Sequence, residues 1–558
     1  MKRYVRLGAY LLTGVLMMHL TACRTHPERE PGQSGADGAA VHGIRYTDHT
    51  LDDAFLEMWE NENGLNNDAC ITQGIVVSPY FELTVCGEPV PVYMARTARG
   101  PHSFAYVEVL DWAGGGLDVE IVTDRKRKNP VVLPESAGVS AAIDGNRVTA
   151  DIMAFGSYTF TFDKEGSDDG SSLPLTLMVK PPEAVGDTAG AVHTFEPGEY
   201  PGEALKFTEP GAVYYFKAGT YTIDSIDILA DNVTVYFEPG VLLIAKPLTL
   251  REDGTPAAEN IFSAQAKNGV SIIGHAALDL SFREAAAGTG VIFSFTSMTN
   301  MVFSGLTVLN SCNWTCCFTG CESVEIRDLL LLGYRTFSDG VMLADCADVR
   351  VDGCFVRTGD DAMEVKSGSA GTVRTKNVVF ENNAVWTDKG IAYGAVYESA
   401  FDQSDVVWRN NSVGYALADW SRHLGCVTVS MEGRDPTVRD HHLYFQDIEI
   451  YRSHCPVITV MMHNGGYIHD IYFQSIHAKE VVLNRAVFGS CIDLIIGNDD
   501  GGPLTDFVLR DLYFDDITYN GVRLAPDNAD LEIRGNFPDG FAFDRDTLHI
   551  NTREGSGR

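Results

Sequence analysis

Positive charge is what this chain has least of. Its 42 Lys and Arg face 76 Asp and Glu, a formal charge of −34, which argues against nucleic acid as a partner because phosphates would be repelled over most of the surface. Long apolar runs are missing too: past the N-terminal region none reaches the roughly 20 residues that a membrane-spanning helix needs. From about Gly198 onward no segment has a helical period, and hairpin turn signals are sparse, which argues against a bundle and a second large sandwich.

The N-terminus reads as a secretion signal. Lys2, Arg3 and Arg6 precede the mostly apolar stretch Leu7 to Leu20, then Leu20-Thr21-Ala22-Cys23 follows. That ending resembles a bacterial lipobox and makes Cys23 the expected lipidated residue, so residues 1–23 are a lipoprotein signal peptide. Residues 24–41, rich in Gly, Pro, Ser and charge, are a flexible tether. The expectation is a bacterial cell-envelope protein held to a membrane by lipid, on the outer-membrane, periplasmic or cell-surface face. Cys70 and Cys86 flank strand-like runs and can pair in an oxidising compartment. Cys312, Cys316, Cys317 and Cys321 are spaced like a metal cluster, but adjacent residues on a strand face opposite ways, so core packing is the expectation and no metal is assigned.

Two kinds of pattern divide the rest. Residues 42–185 carry short alternating runs such as Val119-Glu120-Ile121-Val122 and Tyr158-Thr159-Phe160-Thr161-Phe162, closed by Pro181-Pro182, and read as a β-sandwich. Residues 198–550 repeat one unit, a polar residue or Gly before a short β run. Asn232, Asn268, Asn300, Ser323, Asp348, Asn377, Asp405, His442, Asp470 and Asp506 mark its starts, mostly 23 to 37 residues apart. Such a unit buries its apolar face only by stacking, so the expected fold is all-β: an N-terminal sandwich followed by a right-handed parallel β-helix, or solenoid. Asn and Asp suit its corners because they tolerate the left-handed conformation.

Within the solenoid, Ser338-Asp339-Gly340-Val341 and Gly359-Asp360-Asp361-Ala362 are the same object, acid and small residue before an apolar run. Asp339 and Asp361 lie 22 residues apart, the length of one coil, and so stack on neighbouring rungs about 4.8 Å apart. Three crowded carboxylates raise one another's pKa and can divide acid and base roles, which suits glycoside hydrolysis. Aligning Lys389-Gly390-Ile391-Ala392-Tyr393 as the next rung, 28 residues on from Asp361, and Arg422-His423 as the one after, sets Trp314, Lys389 and His423 along one strip with the three Asp, and with Lys366, Tyr393 and Arg422 near it these are the expected substrate contacts. Aromatic faces and polar groups of that kind bind sugars. Glu364 is close enough to count as a fallback carboxylate.

Ser338-Asp339-Gly340, Gly359-Asp360-Asp361 and Lys366-Ser367-Gly368 resemble the β-helix hydrolases of the polygalacturonase and dextranase clan. The Asn-Thr-Asp of polygalacturonases is Ser338-Asp339 here, their His-Gly is Lys389-Gly390, and no Arg-Ile-Lys follows. With Ala212 to Tyr221 and Val233 to Gly240, the likeness covers about residues 195 to 430 and is nearer the dextranase-like branch. The resemblance implies hydrolysis of a polysaccharide with inversion, Asp360 as general acid, Asp339 and Asp361 activating water, and no cofactor. A dextranase-like α-glucan hydrolase is the first expectation. A polygalacturonase-like pectin hydrolase is the alternative, with a β-helix polysaccharide lyase using Lys389 as base, or a non-catalytic glycan-binding surface protein, behind it.

Overall fold

A computed structural model describes residues 39–47 and 75–551, apart from 99, 113, 164–172, 187–189, 201–204, 249–258, 284–289, 369–372, 418–423, 433–436, 484–486, 498–503, 505, 529 and 537–541. Cys23 and Cys70 lie outside these residues, as do the signal peptide and residues 24–38 of the tether, whereas Ala40 and Val41, expected in the tether, pair with Asp111 and Val109 in the sandwich. The chain is a β-sandwich followed by a right-handed parallel β-helix.

Among the described residues the sandwich strands fall between Ala40 and Lys180 and form one seven-stranded and one five-stranded sheet. Leu117–Thr123 and Arg147–Ile152 alternate buried and open residues, since one face meets the core and the other meets water. Gly100–Asp111 is instead buried along most of its length. Its Ala105, Val107 and Val109 enter the sandwich core, while Phe104 and Tyr106 pack against Leu309, Leu330 and Phe355 of the β-helix. The sandwich therefore lies against the helix along a shared apolar surface, tied by Lys180 to Asp328 at 2.7 Å and by His275 to Glu108 at 2.6 Å.

From Val192 onward the strands stack as rungs in two long sheets, one of 22 strands and one of 12 among the described residues. Inside, like side chains pile on one another: Phe380, Trp408, Phe445, Phe473 and Phe514 form a stack with centroids 4.3–5.5 Å apart. Corner residues Asn232, Asn300, Ser323, Asp348, Asn377, Asp405, His442 and Asp470 all take positive φ, between 51° and 59°. These are unit starts read from the sequence, and residues with short polar side chains dominate because they tolerate that conformation best. Cys312, Cys316 and Cys321 are in the core, whereas Cys317 is buried on the other side of its strand, beside Asp339, Glu364 and Lys366. Cys86 has no disulfide partner among the described residues, and its expected partner Cys70 lies outside them.

Candidate active site

The site is built on the twelve-stranded sheet. Its rungs Cys316–Thr319, Val341–Ala344, Met363–Ser367 and Tyr393–Ser399 pair in parallel, Cys316 with Val341, Val341 with Met363 and Met363 with Tyr393. Core residues such as Met363 and Val365 alternate with Glu364 and Lys366, which face away from the core. Carried two residues back, the register sets Trp314, Asp339 and Asp361 side by side. Backbone bonds hold it there, Thr315 N–H to Asp339 O at 2.9 Å and Gly340 N–H to Asp361 O at 2.8 Å.

Two turns are locked together. Ser338 Oγ donates to Arg335 O at 2.7 Å and accepts from Gly359 N–H at 2.9 Å. Asp360 is half-buried, and its carboxylate accepts N–H bonds from Phe337 at 3.3 Å and Asp361 at 3.1 Å. Asp361 is buried, and its Oδ1 accepts the Ile391 N–H at 2.9 Å. A Cβ on Gly390 would meet the Asp360 carbonyl carbon at 2.4 Å and Asp361 Oδ1 at 2.6 Å, so only glycine lets the next rung close on this turn.

Carboxylate oxygens of Asp339, Asp361 and Glu364 lie within 4.8 Å of one another. Burial pushes Asp339 well above the usual aspartate range, with Asp360 and Asp361 adding to it. Burial and the Asp360 charge push Asp361 up to about 6, and Asp360 is raised by burial against the opposing pull of Phe337 N–H, Lys366 and Lys389. Lys366 is the buried counter-charge, 3.2 Å from Glu364 and 3.5 Å from Glu398. Burial would lower its pKa, but the carboxylates around it outweigh that and raise it. The cluster thus mixes protonated and ionised acids near neutral pH, the condition that acid and base catalysis by neighbouring carboxylates requires. The Asp339, Asp361 and Glu364 oxygens are also close enough together to hold a cation.

The expected residues divide into three groups. Trp314 lies with its ring 5.4 Å below the Lys366 ammonium, and Lys389 is half-buried near Asp360. Tyr393 is not in the strip: it is fully buried in the core, its hydroxyl donating to Asn383 O and Ser412 O. The reason is parity along the strand, since Tyr393 stands opposite Met363, whose side chain faces the core. The rung after Asp361 is 30 residues on, as Met363 opposite Tyr393 sets it, so Ile391 stands beside Asp361 and Lys389 beside Gly359. Arg422 and His423 lie outside the described residues, as does Trp420.

Other residues took their place. Between the pairs Val365 with Ala395 and Ser367 with Ser399, three residues face one, and this bulge turns Tyr397 and Glu398 toward Lys366. Tyr397 has φ 59°, and its buried hydroxyl has no hydrogen-bond partner among the described residues. No sequence signal marks such a bulge. Phe337 stands 44% exposed beside Asp360 with φ 64°.

With this geometry in place, the chain can be set beside known proteins. Residues 284–414 match glycosyl hydrolases family 28. That stretch holds Trp314, Asp339, Asp360, Asp361, Lys366 and Lys389. Over 184 residues the chain is 26% identical to a probable polygalacturonase of Vitis vinifera, an alignment covering 32% of this chain. The chain spans about 30% of that relative's length. Among solved structures, an exopolygalacturonase of Thermotoga maritima superimposes with a TM-score of 0.40 at 15% identity, covering 56% of this chain and 85% of the other. A family 87 α-1,3-glucanase catalytic domain gives 0.37 at 12% identity, covering 77% and 93%. The family and sequence matches favour the pectic alternative over the dextranase-like reading that the sequence placed first.

Proposed function

We propose that this chain is a glycoside hydrolase that cuts a uronate-containing, polygalacturonan-type polysaccharide with inversion at the anomeric carbon. The observation that carries it is the stacking of Asp339 on Asp361 across two rungs, with Asp360 at the turn between, inside the segment matched to family 28. Asp360, the most open of the three, gives its proton to the glycosidic oxygen as the bond to the anomeric carbon breaks. A water held by Asp339 and Asp361 attacks that carbon from the opposite face and passes its proton to the Asp361 carboxylate. Lys389 has no hydrogen-bond or ion-pair partner among the described residues and sits near Asp360, so it can meet a uronate carboxylate. Trp314 offers an aromatic face. Cys23 as a lipid anchor would keep the enzyme at the cell envelope, where polymer fragments arrive.

The test is a reducing-end assay on polygalacturonate, rhamnogalacturonan, dextran, pullulan and carrageenan, with wild type beside Asp360→Asn. Turnover of polygalacturonate, a loss of at least about a hundredfold in the variant, and a first-formed product of inverted configuration by NMR are expected. Cleavage of dextran alone would return the α-glucan reading. Products absorbing in the ultraviolet would mean a lyase, and binding without turnover a glycan-binding protein.

A further inference from the structure

Glu364 is the charge in this site that the hydrolysis just described leaves unused. It is fully buried on the outward side of Met363–Ser367, between Met342 of the rung before and Gly394 of the rung after. Neither neighbour offers a polar side chain, and neither Glu364 oxygen has a hydrogen-bond partner among the described residues, although Lys366 Nζ approaches one at ion-pair distance. A buried, unsatisfied carboxylate is costly unless it carries a proton and finds an acceptor. The acceptor is at hand. Asp361 lies within 4.8 Å and is close enough for a side-chain hydrogen bond that favours its ionised form.

Resting on the hydrolase reading above, we infer that Glu364 is a positioning residue: its carboxylic O–H donates to the Asp361 carboxylate and keeps that group ionised and turned toward the attacking water. The groups that face Glu364 fit this assignment. Asp339 from the preceding turn and Asp361 from its own both push its proton affinity up, and burial does so first. Cys317 from two rungs back is a protonated thiol, and Tyr397 from the following rung keeps its proton. Lys366 pulls the other way, but it shares its charge with Glu398. Four carboxylates and one buried ammonium cannot all ionise, and the most enclosed acid is the natural holder of the spare proton.

The experiment compares Glu364→Gln with Glu364→Ala. Glutamine keeps the shape and an N–H donor, so it is expected to hold kcat within about threefold of wild type. Alanine is expected to lose at least tenfold in kcat with little change in KM, and to shift the acidic limb of the pH–rate profile upward because Asp361 loses its donor. Equal losses in both variants would overturn the inference and make Glu364 an ionised partner of Lys366. An infrared spectrum at neutral pH supplies a readout that needs no substrate: the protonated-carboxyl band should weaken in Glu364→Gln, and an unchanged band would also overturn it. Wild type inactive on every glycan, with the band still weakened in the variant, would sink the hydrolase reading and leave the buried protonated acid standing.

Discussion

Phe337 occupies the least comfortable backbone beside the chemistry. Positive φ is uncommon for a bulky residue and persists where the surroundings impose it; here its N–H is fastened to Asp360 and its ring stands open. An exposed aromatic held in this way suits a sugar face. Phe337→Ala is expected to raise KM roughly two- to tenfold, the value of a stacking contact of about 0.5–1.5 kcal/mol, with kcat nearly unchanged. A collapse of kcat would mean instead that the ring serves to hold Asp360. At this scale the three aspartates were legible because one pattern, an acid and a small residue before an apolar run, repeats one coil apart. Phe337 was not, since nothing in a phenylalanine announces its dihedral angle. Tyr393 was misplaced because its place along the rung, that of the inward-facing Met363 and Val365, decides which way its ring points.

Elements were easier to read than their boundaries in space. The unit starts and their Asn, Asp, Ser and His residues foretold the corners, because αL tolerance is a property of the residue itself. The bulge that brings Tyr397 and Glu398 to Lys366 depends on how one rung meets the next, which no single rung encodes. A buried acid within one strand offers a separate test. Asp440, at the start of Arg439–Ser453, accepts from Gln403 Nε2 at 3.2 Å while its Oδ2 has no hydrogen-bond partner among the described residues. Burial pushes its pKa up from 3.8 to about 8. Between those values the folded chain holds a proton that the unfolded chain releases, so this residue makes stability fall as pH rises across that window. Asp440→Asn should therefore match wild type in melting temperature near pH 4 and exceed it near pH 8. Equal melting temperatures at both would refute the assignment.

On the scale of the whole molecule, the sandwich also meets the helix at a buried ion pair of the helix. Arg357 bonds Asp388 twice, at 3.0 and 2.9 Å, approaches His102 of the sandwich at 3.1 Å, and lies over the Trp386 ring. Asp388→Ala would strand that guanidinium and is expected to cost about 3–5 kcal/mol, read as a lower urea midpoint. Replacing both partners, as Arg357→Met with Asp388→Leu, should recover much of the loss, and no recovery would mean the pair is held by more than its own charges. The sandwich and the solenoid were both legible in outline from the sequence, but this joint was not, because it couples residues 255 positions apart. The rung lengths carry one more consequence. Val341 is followed by its stacked partners at 363, 393 and 427, steps of 22, 30 and 34 residues, yet the strands pair in register from their first residues, with one bulge past Ala395. The acids are addressed by register rather than by distance along the chain. Insertions between rungs can rebuild the walls of the cleft without parting Asp339 from Asp361, whereas losing one residue inside Met363–Ser367 would turn Glu364 and Lys366 inward and erase the site at a stroke. The scaffold separates what can vary from what cannot.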